Sequence, residues 1–270
     1  MYKLFASDMD GTLLNSRSKV APATTDAIRR ANEAGKYFTV VSGRSLVAIR
    51  QFAPDLPLSH PFGIFNGAMI VDMTGKVYYE QPLEKEDARM VLQEARKRGA
   101  QVFVWVGQDM YGDVWDEVLT MYAKLSGITP KLIESDEKML EQPIAKILWY
   151  APADSIAAWL AEFTDSMAGR LNVSTSAPEF IEFNHIDVSK GLCLKRLGEL
   201  LGVAPEETIA AGDETNDLPM LDYAGLGIAM KNSTPAVLEA ADMVSPWTND
   251  EDGIARLIGR YLLDSEAGLE

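Results

Sequence analysis

The chain is poor in the residues that most often carry redox or transition-metal chemistry, with one cysteine and two histidines in 270 residues. A single thiol, Cys193, excludes an internal disulfide and suits a reducing compartment such as the cytoplasm. Its neighbours Leu192 and Leu194, in an apparent helix, make it a core thiol rather than a nucleophile. His60 and His185 show no metal-ligand spacing and read as structural. Positive charge is also scarce: 25 Lys and Arg stand against 40 Asp and Glu, a formal charge of −15. Such a chain repels phosphate backbones and anionic headgroups, which argues against nucleic acid or a membrane as a main partner. No apolar run reaches membrane-spanning length, and the amino terminus enters a strand-like run without a secretory leader. The expectation is a soluble, cytoplasmic protein. Oligomeric state and protein partners stay open.

What is present begins with Asp8, Met9, Asp10 and Gly11, followed by Thr12. They come after the apolar run Leu4, Phe5, Ala6, which predicts a short buried strand. Carboxylates two residues apart point the same way in a continuing strand and repel unless a cation or proton separates them. Gly11 supplies a tight turn and lets backbone approach a ligand. A carboxylate pair at a strand's carboxyl end is a seat for Mg²⁺ and a phosphate. The plainer alternative is an acidic turn or helix cap. The stretch Gly212, Asp213, Glu214, Thr215, Asn216, Asp217 follows the same strand-end logic after the run from Thr208 to Ala211, again with a cap as the alternative. Ser42 and Gly43 end another apolar run and offer a hydroxyl and an amide to an anion.

Strands alternating with helices over the first 80 or so residues predict a parallel sheet in a layered α/β domain. Pro22 opens a helix with Ala27, Ile28, Ala31 and Ala34 on its apolar face, and Gly35 ends it. Strands are expected at 37–41 and 63–66, a helical segment around 46–52, and a hairpin at 69–71 and 77–79 about a Thr74-Gly75 turn. The pattern changes near Leu83. Helices at 84–98 and 154–167, with strands at 101–106, 144–150, 171–175 and 180–183, describe a smaller α+β domain. Alternation returns near Asp187, with a helix at 190–201, strands at 208–211 and 226–230 and a last helix from about 253 to 263. The economical reading is one α/β core of residues 1–82 and 187–270, with an α+β domain, 83–186, inserted into it.

Four motifs in this order resemble the haloacid dehalogenase superfamily of phosphohydrolases: Asp8 to Thr12, Phe38 to Arg44 with its Ser42-Gly43-Arg44 end, Lys190 before Gly191 at a helix start, and Gly212 to Asp217. The resemblance covers nearly the whole chain. It is closest to the Cof-type branch, whose cap lies between the second and third motifs, and it implies a Rossmann-like core with an α+β cap that governs substrate choice. Ser42 stands where many relatives have Thr, which keeps the donor. Glu214 fills a variable slot and has no assigned role.

The resemblance implies Asp8 as nucleophile and Asp10 as general acid/base, with Mg²⁺ held by Asp8, the backbone carbonyl of Asp10, and Asp213. Ser42, Gly43, Lys190 and Asn216 are then expected on the phosphate, with Asp217 behind Lys190. Arg44, Asn66 and Asn232 are candidate substrate contacts, with turn or surface roles as alternatives. The chemistry agrees: a carboxylate can attack phosphorus, a second can protonate the leaving oxygen, and a lysine charge can stabilise the transferring group. The expected function is Mg²⁺-dependent hydrolysis of a small phosphorylated metabolite, with sugar phosphates the favoured class. Its rivals are a phosphosugar mutase and a silent sugar-phosphate-binding regulator. The mutase wants a second phosphate cluster in the cap, where Arg89, Arg96, Lys97, Arg98, Lys124, Lys131, Lys138, Lys146 and Arg170 form no dense motif. The regulator should have lost a residue among Asp8, Asp10, Lys190 and Asp213, and none is lost.

Overall fold

Five short strands form one parallel sheet in the order Met243–Val244, Leu226–Ala229, Thr208–Gly212, Leu4–Ser7, Tyr37–Val40. This sheet belongs to a computed structural model that describes residues 1–263. Strands inside a parallel sheet are covered on both faces and therefore read as continuous apolar runs. Leu4–Ser7, fully buried, is such a strand: Phe5 sits opposite Ile209 on one side and Phe38 on the other. The core has the α/β parallel-sheet architecture expected from the sequence.

The chain separates into two compact units, Met1–Tyr78 with the residues from Ser189 onward, and Tyr79–Val188. In the first, Pro22 opens the helix Pro22–Glu33, whose buried face includes Ala27, Ile28 and Ala31, and Gly35 takes a left-handed φ of 69° just past its end. The helix Lys190–Leu201 starts where the Ser189 hydroxyl accepts the Leu192 amide at 3.1 Å, and Gly202 closes it. Gly191 lies so close to the helix Leu218–Tyr223 that a Cβ there would overlap the Pro219 carbonyl. Cys193 is buried on the same helix, and burial pushes its thiol up to about 12, so it packs as an inert core group.

In the second unit the sheet order is Leu171–Ala177, Phe180–His185, Ile144–Tyr150, Gln101–Val106, Asp109–Gly112, Lys131–Leu132. Helices Lys85–Arg98 and Ala153–Ser166 supply Val91, Leu92, Ile156 and Phe163 to a core with Val102, Val104, Trp149 and Phe183. Phe103 alternates to the other face, where Tyr122 stacks on it at 5.1 Å.

Several details depart from the sequence expectation, among them the unexpected strand Met243–Val244 and helices Leu218–Tyr223 and Pro235–Ala240. The segment between Val106 and Ile144, for which no element was expected, carries the strands Asp109–Gly112 and Lys131–Leu132 and the helices Glu117–Ser126 and Asp136–Met139. Those strands are too short for a period to show. The expected strand 63–66 is Phe62–Ile64, because Phe65 and Asn66 turn into left-handed backbone at φ 52° and 57°. Finally, the last helix is Gly253–Leu257 continued by a wider π turn, Ile258–Leu262.

Candidate active site

The carboxyl ends of the parallel strands collect the charged residues. Asp8 follows Leu4–Ser7 and Asp213 follows Thr208–Gly212, in the crevice position where open α/β sheets bind ligands. Lys190, the first residue of its helix, reaches between them. Its Nζ donates to Asp8 Oδ1 at 2.7 Å and to Asp217 Oδ1 at 2.6 Å. Asp217 uses its other oxygen to accept the backbone amides of Asp213 at 2.9 Å and Glu214 at 3.0 Å. One carboxylate thus ties the lysine to the loop that carries Asp213. Gly212 makes this possible, since a Cβ there would overlap the Asp217 side chain.

Little of this charge meets water: Lys190 is 2% exposed, Asp8 6% and Asp217 0%. Burial pushes the Asp8 carboxyl up to about 7, with Lys190 pulling against it and Asp217 adding to it. Burial likewise lifts Asp213 to about 6, opposed by the Thr12 hydroxyl. Burial also works against the Lys190 charge, but Asp8 and Asp217 outweigh it and raise its pKa. Its two carboxylate partners thus favour the charged form of Lys190.

Asp8, Asp213 and Asp217 each offer an oxygen within 4.8 Å of the others. Asp217 is already spoken for on both oxygens, which leaves Asp8 and Asp213 as the open carboxylates. An all-oxygen, carboxylate-poor set is what Mg²⁺ takes, with phosphate and water completing its shell. Thr12 Oγ1 donates to Asp213 Oδ1 at 2.6 Å and fixes that carboxylate's orientation. Gly11, at φ 77°, comes so near that a Cβ would overlap the Asp213 carboxylate. The residues fit the ion.

The remaining candidates divide. Asp10 lies outside the carboxylate group: its side chain is gripped by Arg44, Nε to Oδ2 at 2.7 Å and Nη2 to Oδ1 at 2.6 Å. Ser42 is buried, and its hydroxyl accepts the Arg44 amide at 3.2 Å. Asn66 accepts a hydrogen bond from Asn216 at 3.2 Å, and its Oδ1 would stand 3.1 Å from a Cβ placed on Gly43. Asn232 donates to the Gly11 carbonyl at 2.8 Å. Sequence reasoning missed the Thr12–Asp213 bond and the Arg44–Asp10 pair. Both residues stood inside quoted motifs, but only folding supplies their partners. Glu214 is exposed and contributes its amide to Asp217.

The profile of haloacid dehalogenase-like hydrolases matches residues 5–258. The 5-amino-6-(5-phospho-D-ribitylamino)uracil phosphatase YcsE of Bacillus subtilis is 30% identical, over 97% of this chain and 96% of its own length. The phosphatase YwpJ of the same organism is 28% identical, over 96% of this chain and 100% of its own. Among solved structures, a haloacid dehalogenase-like hydrolase from Bacteroides thetaiotaomicron superimposes with a TM-score of 0.84 at 30% identity, over 96% of this chain and 99% of that one. With the family profile spanning most of the chain and a 30% identical relative matched over nearly its whole length, this chain belongs to the haloacid dehalogenase-like hydrolase family.

Proposed function

We propose that the protein hydrolyses a small phosphorylated metabolite, a sugar or polyol phosphate, through an aspartyl-phosphate on Asp8. The observation that carries this reading is the buried bridge from Asp8 through Lys190 to Asp217, beside Asp213 at the strand ends. Lys190 holds the Asp8 carboxylate through Oδ1 and so fixes its orientation at the strand end. As the Asp8–phosphorus bond forms, the bond to the leaving oxygen breaks and Asp10 delivers a proton to that oxygen. Asp10 then takes a proton from the water that attacks phosphorus, releasing phosphate and restoring the Asp8 carboxylate. Lys190, Ser42 and the Gly43 amide offset the charge on the transferring oxygens. Mg²⁺ held by Asp8, the Asp10 carbonyl and Asp213 would supply further countercharge and orient the phosphate.

The named substrate of YcsE carries a phosphate on a ribityl chain, which supports a polyol or sugar phosphate here. The unit Tyr79–Val188 is proposed as the cap that selects the leaving group. Its cations argue against a mutase's second phosphate site. Of the nine that the sequence drew attention to, eight are paired with acids: Arg89, Arg96, Lys97, Arg98, Lys131, Lys138, Lys146 and Arg170. No helix among the described residues is long and apolar enough to cross a membrane. With a single buried thiol, the cytoplasm is the proposed compartment. The test is phosphate release from a panel of phosphorylated sugars, polyols and cofactors with and without Mg²⁺. Failure of every member in Mg²⁺ would refute the reading.

A further inference from the structure

The Ser42-Gly43-Arg44 turn does more than end a strand. Its two outer carbonyls are taken from behind: Phe65 donates its amide to the Arg44 carbonyl at 3.1 Å, and Asn66 donates to the Ser42 carbonyl at 2.9 Å. Both donors have left-handed backbone, φ 52° and 57°. That conformation is uncommon for any residue but glycine and an outlier for one as bulky as phenylalanine. Strain of this kind persists only where the surroundings impose it. Here it pins the backbone of Arg44 at both ends, because the Arg44 amide also donates to the Ser42 hydroxyl. The guanidinium is held in turn, 5.3 Å over the Phe52 ring.

From this fixed base Arg44 meets the Asp10 carboxylate with two parallel bonds. Asp10 has no other side-chain partner among the described residues, and its side chain is 57% exposed. An aspartate so exposed, just before the left-handed Gly11, would otherwise sample several rotamers. A planar two-point fork fixes both direction and plane, which a single lysine ammonium does not. We infer that Arg44 is the positioning residue for Asp10, holding its carboxylate for proton exchange with the leaving oxygen and then with water. This rests on the reading of Asp10 as general acid/base. The sequence placed Arg44 against substrate or solvent; its anchoring assigns it to a neighbouring side chain instead.

The experiment compares p-nitrophenyl phosphate with phenyl phosphate, whose leaving group is the stronger base and depends more on a proton donor. Wild type, Arg44→Ala, Arg44→Lys and Asp10→Asn are assayed with Mg²⁺ after their folding is checked by circular dichroism. Arg44→Ala is expected to lower kcat/KM, which reads only the steps through loss of the leaving group, about tenfold more for phenyl phosphate than for the nitrophenyl ester, with KM for both changed less than about threefold. Arg44→Lys should keep the defect, since charge without the fork does not orient the carboxylate. A rise in KM with kcat preserved, restored by lysine, would make Arg44 a substrate contact and overturn the inference. Equal loss in kcat/KM on both esters would also overturn it. Asp10→Asn separates the two levels. If it widens the gap between the esters while Arg44→Ala does not, only the positioning role fails. If it leaves both esters at wild-type rates, the assignment of Asp10 fails and the inference with it.

Discussion

Lys190 and Asp8, 182 positions apart in the chain, meet at 2.7 Å with both side chains buried. Such a pair is not a strong source of stability, because removing two charges from water offsets much of their attraction. At the strand ends, with Asp217 also bonded to the ammonium, it holds the Asp8 carboxylate, the proposed nucleophile, in one orientation. Asp8→Asn should keep the fold and lower phosphate release by on the order of 10³-fold or more, since an amide forms no aspartyl-phosphate. Wild-type-like turnover of a folded Asp8→Asn protein would rule out the mechanism.

Replacing Lys190 tests the other half of the pair. Lys190→Met leaves Asp8 and Asp217 buried without their cation, and breaking a buried pair in this way costs about 3–5 kcal/mol. Denaturant unfolding at pH 7.5 should show a loss of that order, and a smaller one at pH 5, where Asp8 binds a proton readily. All substrates should slow together. A variant as stable as wild type that changes only substrate preference would contradict the placement of Lys190.

The pH dependence of stability has a defined sign. Asp8 is raised to about 7 and Asp213 to about 6, both above the ordinary 3.8. The folded chain therefore binds these protons more tightly than the unfolded one, and their contribution to stability is fully present below about pH 4. It is lost as pH rises through 6 and 7. If Mg²⁺ is held as proposed, it binds the ionised carboxylates of the folded state and should raise Tm more at pH 7.5 than at pH 5. A Mg²⁺ shift equal at both values, or larger at the lower one, would sink this account.

Thr12 makes one contact of consequence, its hydroxyl on Asp213. Losing a partner that orients a metal ligand typically weakens metal binding about 10–100-fold. Thr12→Val should accordingly shift the Mg²⁺ concentration for half-maximal activity upward by at least about tenfold, with little change in kcat at saturation. Titration of activity with Mg²⁺ measures this directly, and an unchanged midpoint would assign Thr12 to packing alone.

The proposed division between core and cap is tested best at Trp115, which is 59% exposed in the second unit. Tyr111 is a poorer choice because it packs against that unit's core. Trp115→Ala should change the ranking of phosphorylated metabolites more than it changes p-nitrophenyl phosphate hydrolysis, whose leaving group asks little of recognition. Equal loss across the panel would argue against a selective role for this surface.

Much was legible before folding because it is local. The run Leu4, Phe5, Ala6 marks a strand covered on both faces, Gly11 and Gly35 mark turns, and Pro22 opens a helix. The four motifs, by residue type and order, carry the family resemblance from which the chemistry was expected. What they touch was legible only in part: Asp217 was expected behind Lys190, but not its hold on two backbone amides. Asp217 divides its oxygens between Lys190 and two amides, and Arg44 turns to Asp10 rather than outward. The left-handed turn at Phe65 and Asn66 contradicts the local preference of both a strand and a phenylalanine. Local sequence determines which backbone shapes are cheap, and so it determined most of the strands, most helices and the candidates for the reactive groups. The partners of buried charges were decided by the tertiary structure, because each charge loses its water on folding and must take whatever opposite charge or amide the packed chain brings within reach.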